Sequence, residues 1–461
     1  MNTVHKSMKQ RNEWVMKALK REKKLKDKGI VDFAQVQRHF FKDLNAWIGQ
    51  MADPRNPQYT TYTQQDLVWL GLLKNVCGIE SMRGTNENFN EYTCINTLSF
   101  LSGDRRLEEL PDFTTLNNYL ERLSPACLSD VRREMVKSLI RSKVFLKNRI
   151  LGKYWPVVLD GTGLFHFKEK HCDNCLLTTV KDEEGKKHKS YYHKVLEAKI
   201  ILSDSIVISL GTEFIENESE DVEKQDCENA AAKRLRERIK KEYPRLRNCI
   251  QGDGLYGVEP LMKRCKGYGW KYLFTLKEGT QKNITKDYRD LDEGMRHVRE
   301  GICPEKGKGG FYNGVEGITG KEEVFNVLEY EYEKTEKGKT TQIHFLWVTN
   351  IRVTDRNLET LANAGRKRWK IENEGFNNQK NGIYKIEHLN SRDTNAMKNH
   401  YLLTQIADIL MQLYLSCNKL VKEIGQSIKN TSSRLLESFR RQPITDEDVC
   451  YISRYTTVHL E

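Results

Sequence analysis

In the stretch Tyr154-Trp155-Pro156-Val157-Val158-Leu159-Asp160-Gly161-Thr162, an apolar, β-branched run ends in an acid. Val157, Val158 and Leu159 predict a short buried strand, and Asp160-Gly161-Thr162 predicts the turn that it feeds. Further along, strands are expected over residues 195–202 and 206–215, separated by the polar turn Ser203-Asp204-Ser205. Short links among the three suggest an antiparallel meander. An exposed helix, rich in Ala, Glu, Lys and Arg, is expected over residues 224–243 and is stopped by Pro244. A fourth strand at residues 248–251 then runs into Gly252-Asp253-Gly254, followed by a helix over residues 257–266 and a fifth strand over residues 270–276.

The order strand, strand, strand, helix, strand, helix, strand is, by analogy, the ribonuclease-H-like arrangement, an α/β core built on a mixed sheet. On its amino-terminal side, residues 1–150 are expected to be helical, with Leu67, Leu70, Leu72 and Leu73, and again Leu116, Leu120 and Leu123, at helical spacing. Pro111 followed by Asp112 and Thr114 marks a helix start. On the other side, residues 276–342 turn Gly-rich and Lys-rich, with strand-like character at 324–332, and form a β-rich insertion. A strand over 344–350 resumes the core. A helix beginning near Asp355 and Asn357 then carries Arg368, Trp369, Glu372 and Phe376, and an apolar helix follows over 396–415. The expected domains are therefore a helical 1–150, the first part of the ribonuclease-H-like core at 151–275, the insertion at 276–342, the rest of the core at 343–400, and a helical 401–461.

A formal charge of +12 over 461 residues points to a polyanionic partner such as nucleic acid. Ten Lys or Arg fall between Lys6 and Lys28, either on a solvated helix face or on an arm that contacts DNA. No run approaches 18 apolar residues and the start lacks an apolar core, which predicts neither a membrane span nor a secretory signal and places the protein in the cytoplasm. The 11 cysteines, odd in number and unevenly spaced, are expected as reduced thiols. Gly-x-Ser-x-Gly and phosphate-loop motifs are missing, which removes the support for serine-nucleophile and ATP-driven chemistry.

Hydrolysing a phosphodiester and joining the freed 3′ hydroxyl to another strand calls for an activated oxygen nucleophile and a stabilised leaving oxygen, and two metal ions about 4 Å apart can serve both. Mg²⁺ takes hard oxygen ligands and keeps several waters, so a few carboxylates from different elements suffice. In the expected strand order Asp160 and Asp253 end neighbouring strands, and Glu372 arrives from the helix after the insertion. The gaps of 93 and 119 residues are not diagnostic, the second being long because it holds the insertion.

Val158-Leu159-Asp160-Gly161-Thr162, Gly252-Asp253-Gly254-Leu255-Tyr256-Gly257 and Arg368-Trp369-Lys370-Ile371-Glu372-Asn373 together resemble the DDE transposases of bacterial insertion sequences, over roughly residues 110–400. The resemblance implies an endonuclease and strand transferase that cleaves double-stranded DNA at the ends of a mobile element and joins the 3′ ends to target DNA. It implies Asp160, Asp253 and Glu372 as catalytic metal ligands, two Mg²⁺ ions with Mn²⁺ as a substitute, a homodimer in the DNA complex, and a bacterial protein associated with the nucleoid when bound to DNA. In members with a β-rich insertion the Glu lies in a helical signature of Tyr, two residues, Arg, three residues, Glu, six residues, Lys. Arg368 and Glu372 keep that spacing; Gly365 stands at the Tyr position, and Gln379 at the Lys position with Lys380 next to it. Arg368 and Lys380 are the expected phosphate contacts. At 3.6 residues per turn Lys380 would be rotated by about 80° from Glu372.

Plainer readings stand beside these. Asp160-Gly161 and Gly252-Asp253-Gly254 fit ordinary turns, Arg368 and Glu372 an ordinary i, i+4 pair, with Glu374 a competing carboxylate. Trp369 and Phe376 are expected as core anchors rather than partners of DNA bases. His171, Cys172 and Cys175, with His188 or His193 downstream, have the ligand types for zinc, but the second half of the usual spacing is missing, which favours a reduced loop. The alternatives for the whole chain are a catalytically silent, domesticated DNA-binding protein and a nuclease with the same core and no strand transfer.

Overall fold

The structure, a computed structural model, describes residues 8–89, 92–181, 184–217, 225–277, 281–302, 305–315, 324–336, 338–454 and 458. Lys6, the first residue of the basic stretch, lies outside the described residues, as do parts of the insertion at 278–280, 303–304, 316–323 and 337. Two compact units divide the chain: Phe145–Phe376, and Met1–Val144 together with Asn377–Glu461.

The central unit is built on one ten-stranded sheet. Its strands are β1 (Trp155–Phe167), β2 (Leu176–Lys181), β3 (Lys187–Ile201), β4 (Val207–Ile215), β5 (Asn248–Gly252), β6 (Lys271–Thr275), β7 (His297–Ile302), β8 (Gly307–Val315), β9 (Phe325–Glu336) and β10 (Lys339–Thr349). β1 pairs antiparallel with β3 and β3 with β4, while β1, β5 and β6 are parallel neighbours. The order β4-β3-β1-β5-β6 is the ribonuclease-H-like arrangement. The helix Glu228–Glu242 joins β4 to β5, and Glu259–Gly267 joins β5 to β6, the crossovers that parallel strands require.

Two details depart from the sequence expectation. The link from β1 to β3 is not short: it contains β2, which forms a hairpin with the outer half of β3. Nor does the first strand end at Asp160, because Gly161 and Thr162 stay in register with Leu196 and Val195 of β3. Asp-Gly is a turn signal in isolation, but here β3 supplies ladder partners on one side after the parallel pairing with β5 has stopped at Val158 and Gln251.

The insertion extends the same sheet. β10 pairs with β6 on one edge and β9 on the other, and β8 and β7 continue outward, all antiparallel. Trp347, Leu328 and Leu273 of this part of the sheet bury the helix Leu358–Arg366 through Leu358, Leu361 and Ala362, each large side chain contributing about 1.5–3 kcal/mol by leaving water.

The second unit is helical and uses both ends of the chain. Its inner helix Gln64–Val76 starts at Thr63 in a capping box with Asp66, and Leu67, Leu70, Leu72 and Leu73 are all buried. Asp112 caps the helix Phe113–Arg122 at the backbone N–H of Thr114, as Pro111-Asp112 suggested. The long helix Thr394–Cys417 is buried along most of its length. Asn399 on it donates to the carbonyls of Leu120 and Leu123 at 2.8 and 2.7 Å, Ser432 Oγ donates to Val76 O at 2.6 Å, and Ile30 N–H donates to Ser438 Oγ at 3.0 Å. The amino- and carboxyl-terminal helices, expected from sequence as separate regions, thus share one core. The basic helix Met8–Phe40 exposes Lys17 and Lys20 in its first half and buries Ile30–Val36 in its second. Among the described residues no helix is long and apolar enough to cross a membrane, and the described cysteines are free thiols.

Candidate active site

Asp160 and Asp253 reach one edge of the sheet by register. Val158 of β1 lies opposite Gln251 of β5, and each acid stands two residues beyond its strand's member of that pair. Asp160 accepts the N–H of Gly161 on Oδ1 at 3.0 Å. Asp253 heads a turn in which its Oδ1 accepts Leu255 N–H at 2.9 Å and its carbonyl accepts Tyr256 N–H at 3.1 Å.

Glu372 does not sit on a continuous α-helix. After the helix Leu358–Arg366 the chain tightens into a 3₁₀ turn at Lys367–Trp369, widens into a π-helix over Ile371–Asn377, and returns to α-helix at Asn378–Asn381. The reason lies in the apolar spacing: Ile371 and Phe376 are five apart, a distance that one π turn stacks on a single face, and both are buried with Val158, Ile201 and Val207. This corrects the rotation of about 80° expected for Lys380, which assumed 3.6 residues per turn throughout. Trp369 is corrected as well: it is 56% exposed, whereas Phe376, at 6%, is the core anchor expected.

The three carboxylates share one electrostatic environment. Burial raises the Asp160 carboxyl from its ordinary 3.8 to about 6; Arg368 opposes the rise, while the negative charges of Glu372 and Asp253 add to it. Arg368 donates to Glu372 Oε1 at 3.0 Å, and Lys277 to Asp253 Oδ2 at 3.0 Å. Two of the acids are thus neutralised by cations, while Asp160 is left at a raised pKa. Three carboxylates supplying hard oxygen donors fit divalent metal, although the three acids do not form a group within 4.8 Å of one another.

A second group, which sequence reasoning did not single out, lies alongside. The Glu228 carboxylate, at the start of its helix, accepts from Tyr256 Oη and Lys194 Nζ. It fills the space beside Gly161, where a Cβ would stand 2.7 Å from its carboxyl carbon. Burial and Glu228 both push the Tyr256 phenol above its usual pKa, and Asp160 and Asp253 add to the rise, so this group adjoins the acids. The signal was present in Gly252-Asp253-Gly254-Leu255-Tyr256-Gly257: Gly252 must lack a Cβ because the Tyr256 ring lies 2.8 Å from where it would be.

The two departures from the helical signature have structural causes. The Trp347 ring lies on Gly365, leaving no room for a side chain. Gln379 is wholly buried and donates to Gln405 Oε1 at 3.0 Å and Asp408 Oδ2 at 2.8 Å, within the helical unit. Lys380 in that unit pairs with Glu387 at 2.7 Å.

Among solved structures, a cryo-EM structure of a piggyBac transposase synaptic complex with hairpin DNA is similar at 12% identity, over 93% of this chain and 85% of that one, with a TM-score of 0.38. No curated protein matches by sequence. The family model of the transposase DDE domain matches residues 157–408, more than half of the chain and the whole span from β1 past Glu372. With two Asp placed just past the last β1–β5 pair and a Glu on the helical segment that follows the inserted strands, the chain belongs to the DDE transposase family.

Proposed function

We propose that this transposase cleaves double-stranded DNA at the ends of a mobile element and joins the 3′ ends to target DNA, with Asp160, Asp253 and Glu372 as ligands of two divalent ions, Mg²⁺ or, in its place, Mn²⁺. The observation that carries the reading is the register of β1 and β5, which sets Asp160 and Asp253 side by side at one sheet edge. When bound, the ions supply charge stabilisation for the entering and leaving oxygens of the displacement.

The protein's own part is an exchange of partners. Asp160 loses its proton to become a ligand, Asp253 leaves Lys277, and Glu372 leaves Arg368. Each release frees a cation beside the DNA backbone, and the Arg368 fork is suited to hold a phosphate in two hydrogen bonds. Lys380 contributes a second phosphate contact, and the exposed Lys17 and Lys20 of the basic helix contribute to binding element ends. Holding two ends for coordinated cutting calls for a homodimer in the DNA complex.

One observation favours a second reading, a silent DNA-binding descendant: Gln379, at the signature's Lys position, faces a protein core. The test is incubation of the purified chain with its element-end DNA, target plasmid and Mg²⁺. Nicked ends and joined products are expected; nicks without joined products indicate the nuclease alternative, and binding without either indicates the silent one.

A further inference from the structure

We propose that Cys172, Cys175 and His193 form a structural Zn²⁺ site separate from the acidic cluster. Cys172 and Cys175 lie on the link between β1 and β2, in a turn closed by Cys175 N–H donating to Cys172 O at 3.3 Å. His193 comes from β3. The two sulfurs are 3.6 Å apart, and His193 Nε2 is 3.4 Å from each.

Those three distances are the argument. Tetrahedral bonds of about 2.3 Å to sulfur and about 2.0 Å to nitrogen set two sulfurs about 3.8 Å apart and a sulfur and nitrogen about 3.5 Å apart. The triangle agrees with that geometry on every side. A redox pair would need only the two sulfurs; an imidazole nitrogen equidistant from both is what a shared cation requires. Soft thiolates with imidazole select zinc over Mg²⁺.

The surroundings are built. Cys175 and His193 are buried. Asn217 donates to Cys175 O and Asn174 donates to Asn217 O, both at 2.9 Å, which fixes the turn. Phe165 and Phe167 of β1 meet the His193 ring edge-on at 6.4 and 6.1 Å. Among the described residues the group has three side-chain ligands, and the ring of His171, next in the chain to Cys172, stacks on Phe167. The site clips the outer end of β1, beyond the bulge between Gly163 and His166, to β3 next to Lys194, whose partner is Glu228. Sequence spacing named these residues but favoured a reduced loop, because the third ligand lies on a strand rather than in a second Cys or His pair.

The test is metal analysis of the full-length protein purified without chelator. One zinc per chain is expected, falling at least tenfold in Cys175→Ser and His193→Ala but retained in Asp160→Ala. Should the first two variants fail to fold, replacing zinc by Co²⁺ in the wild-type chain gives a second measure: thiolate-to-cobalt charge-transfer absorption, which carboxylates cannot produce, is expected. Wild-type protein that lacks both zinc and that absorption, or that contains a Cys172–Cys175 disulfide, overturns the proposal.

Discussion

The indole of Trp347 lies so close to Gly365 that a Cβ added there would stand 2.5 Å from the ring. Gly365→Tyr, which restores the signature's tyrosine, is therefore expected to destabilise the central unit by about 1–3 kcal/mol, the usual result of overfilling a packed core. A lowered denaturant midpoint checks this; a variant as stable as the parent would mean that the helix Leu358–Arg366 can move off the sheet.

Asp160→Ala, Asp253→Ala and Glu372→Gln should each abolish Mg²⁺-dependent nicking and leave DNA binding within severalfold of the parent, as measured by gel shift. Nicking that survives all three changes would falsify the ligand assignment.

Asp160 also sets a pH dependence. Its carboxyl titrates near 6 in the fold against 3.8 ordinarily, so ionising it costs folding free energy. That cost is absent below the lower value, grows between the two, and is full above the higher, at most roughly 3 kcal/mol. In EDTA, Asp160→Asn should melt higher than the parent at about pH 7.5, and the difference should shrink as the pH falls and vanish below about pH 3.8. For the parent, metal binding should strengthen as the pH rises through about 6. An Asn variant with no gain at the higher pH would show that Asp160 is solvated.

Gln379 and Lys380 are neighbours with opposite expected effects. Gln379→Ala leaves Gln405 and Asp408 short of a buried donor, a loss of about 1–3 kcal/mol, visible in urea unfolding. Lys380→Ala removes only a partly exposed pair with Glu387, worth about 0–1 kcal/mol. It is expected to weaken DNA binding across sequences and reduce the salt slope by about 1. Unchanged affinity and slope would remove Lys380 from the DNA surface.

The parts of the fold legible in the sequence were those with a local signal. Val157–Leu159 and residues 248–251 announced strands, and the spacing of Leu67, Leu70 and Leu73 announced a helix. The path of β1 past Asp160 was not legible, because Asp-Gly is a local turn signal and the ladder that overrides it comes from β3, more than thirty residues later. The π-helix at Glu372 was hidden for a related reason: Ile371 and Phe376 are out of phase with an α-helix and fall into phase only when the sheet beneath them is known. Of the candidate site, the three acids stand in motifs that the sequence displays, whereas Lys277, Glu228 and Lys194 join them only through folding.

Because one helical unit is made from both chain ends, its core cannot close until the ribosome has supplied the last helices. Ser432 reaches Val76 across more than three hundred residues, so the face of the helix Gln64–Val76 that the carboxyl-terminal helices cover waits while the sheet of the central unit is synthesised between them. Synthesis itself therefore orders assembly: the central sheet can be completed first, and the helical unit is sealed last.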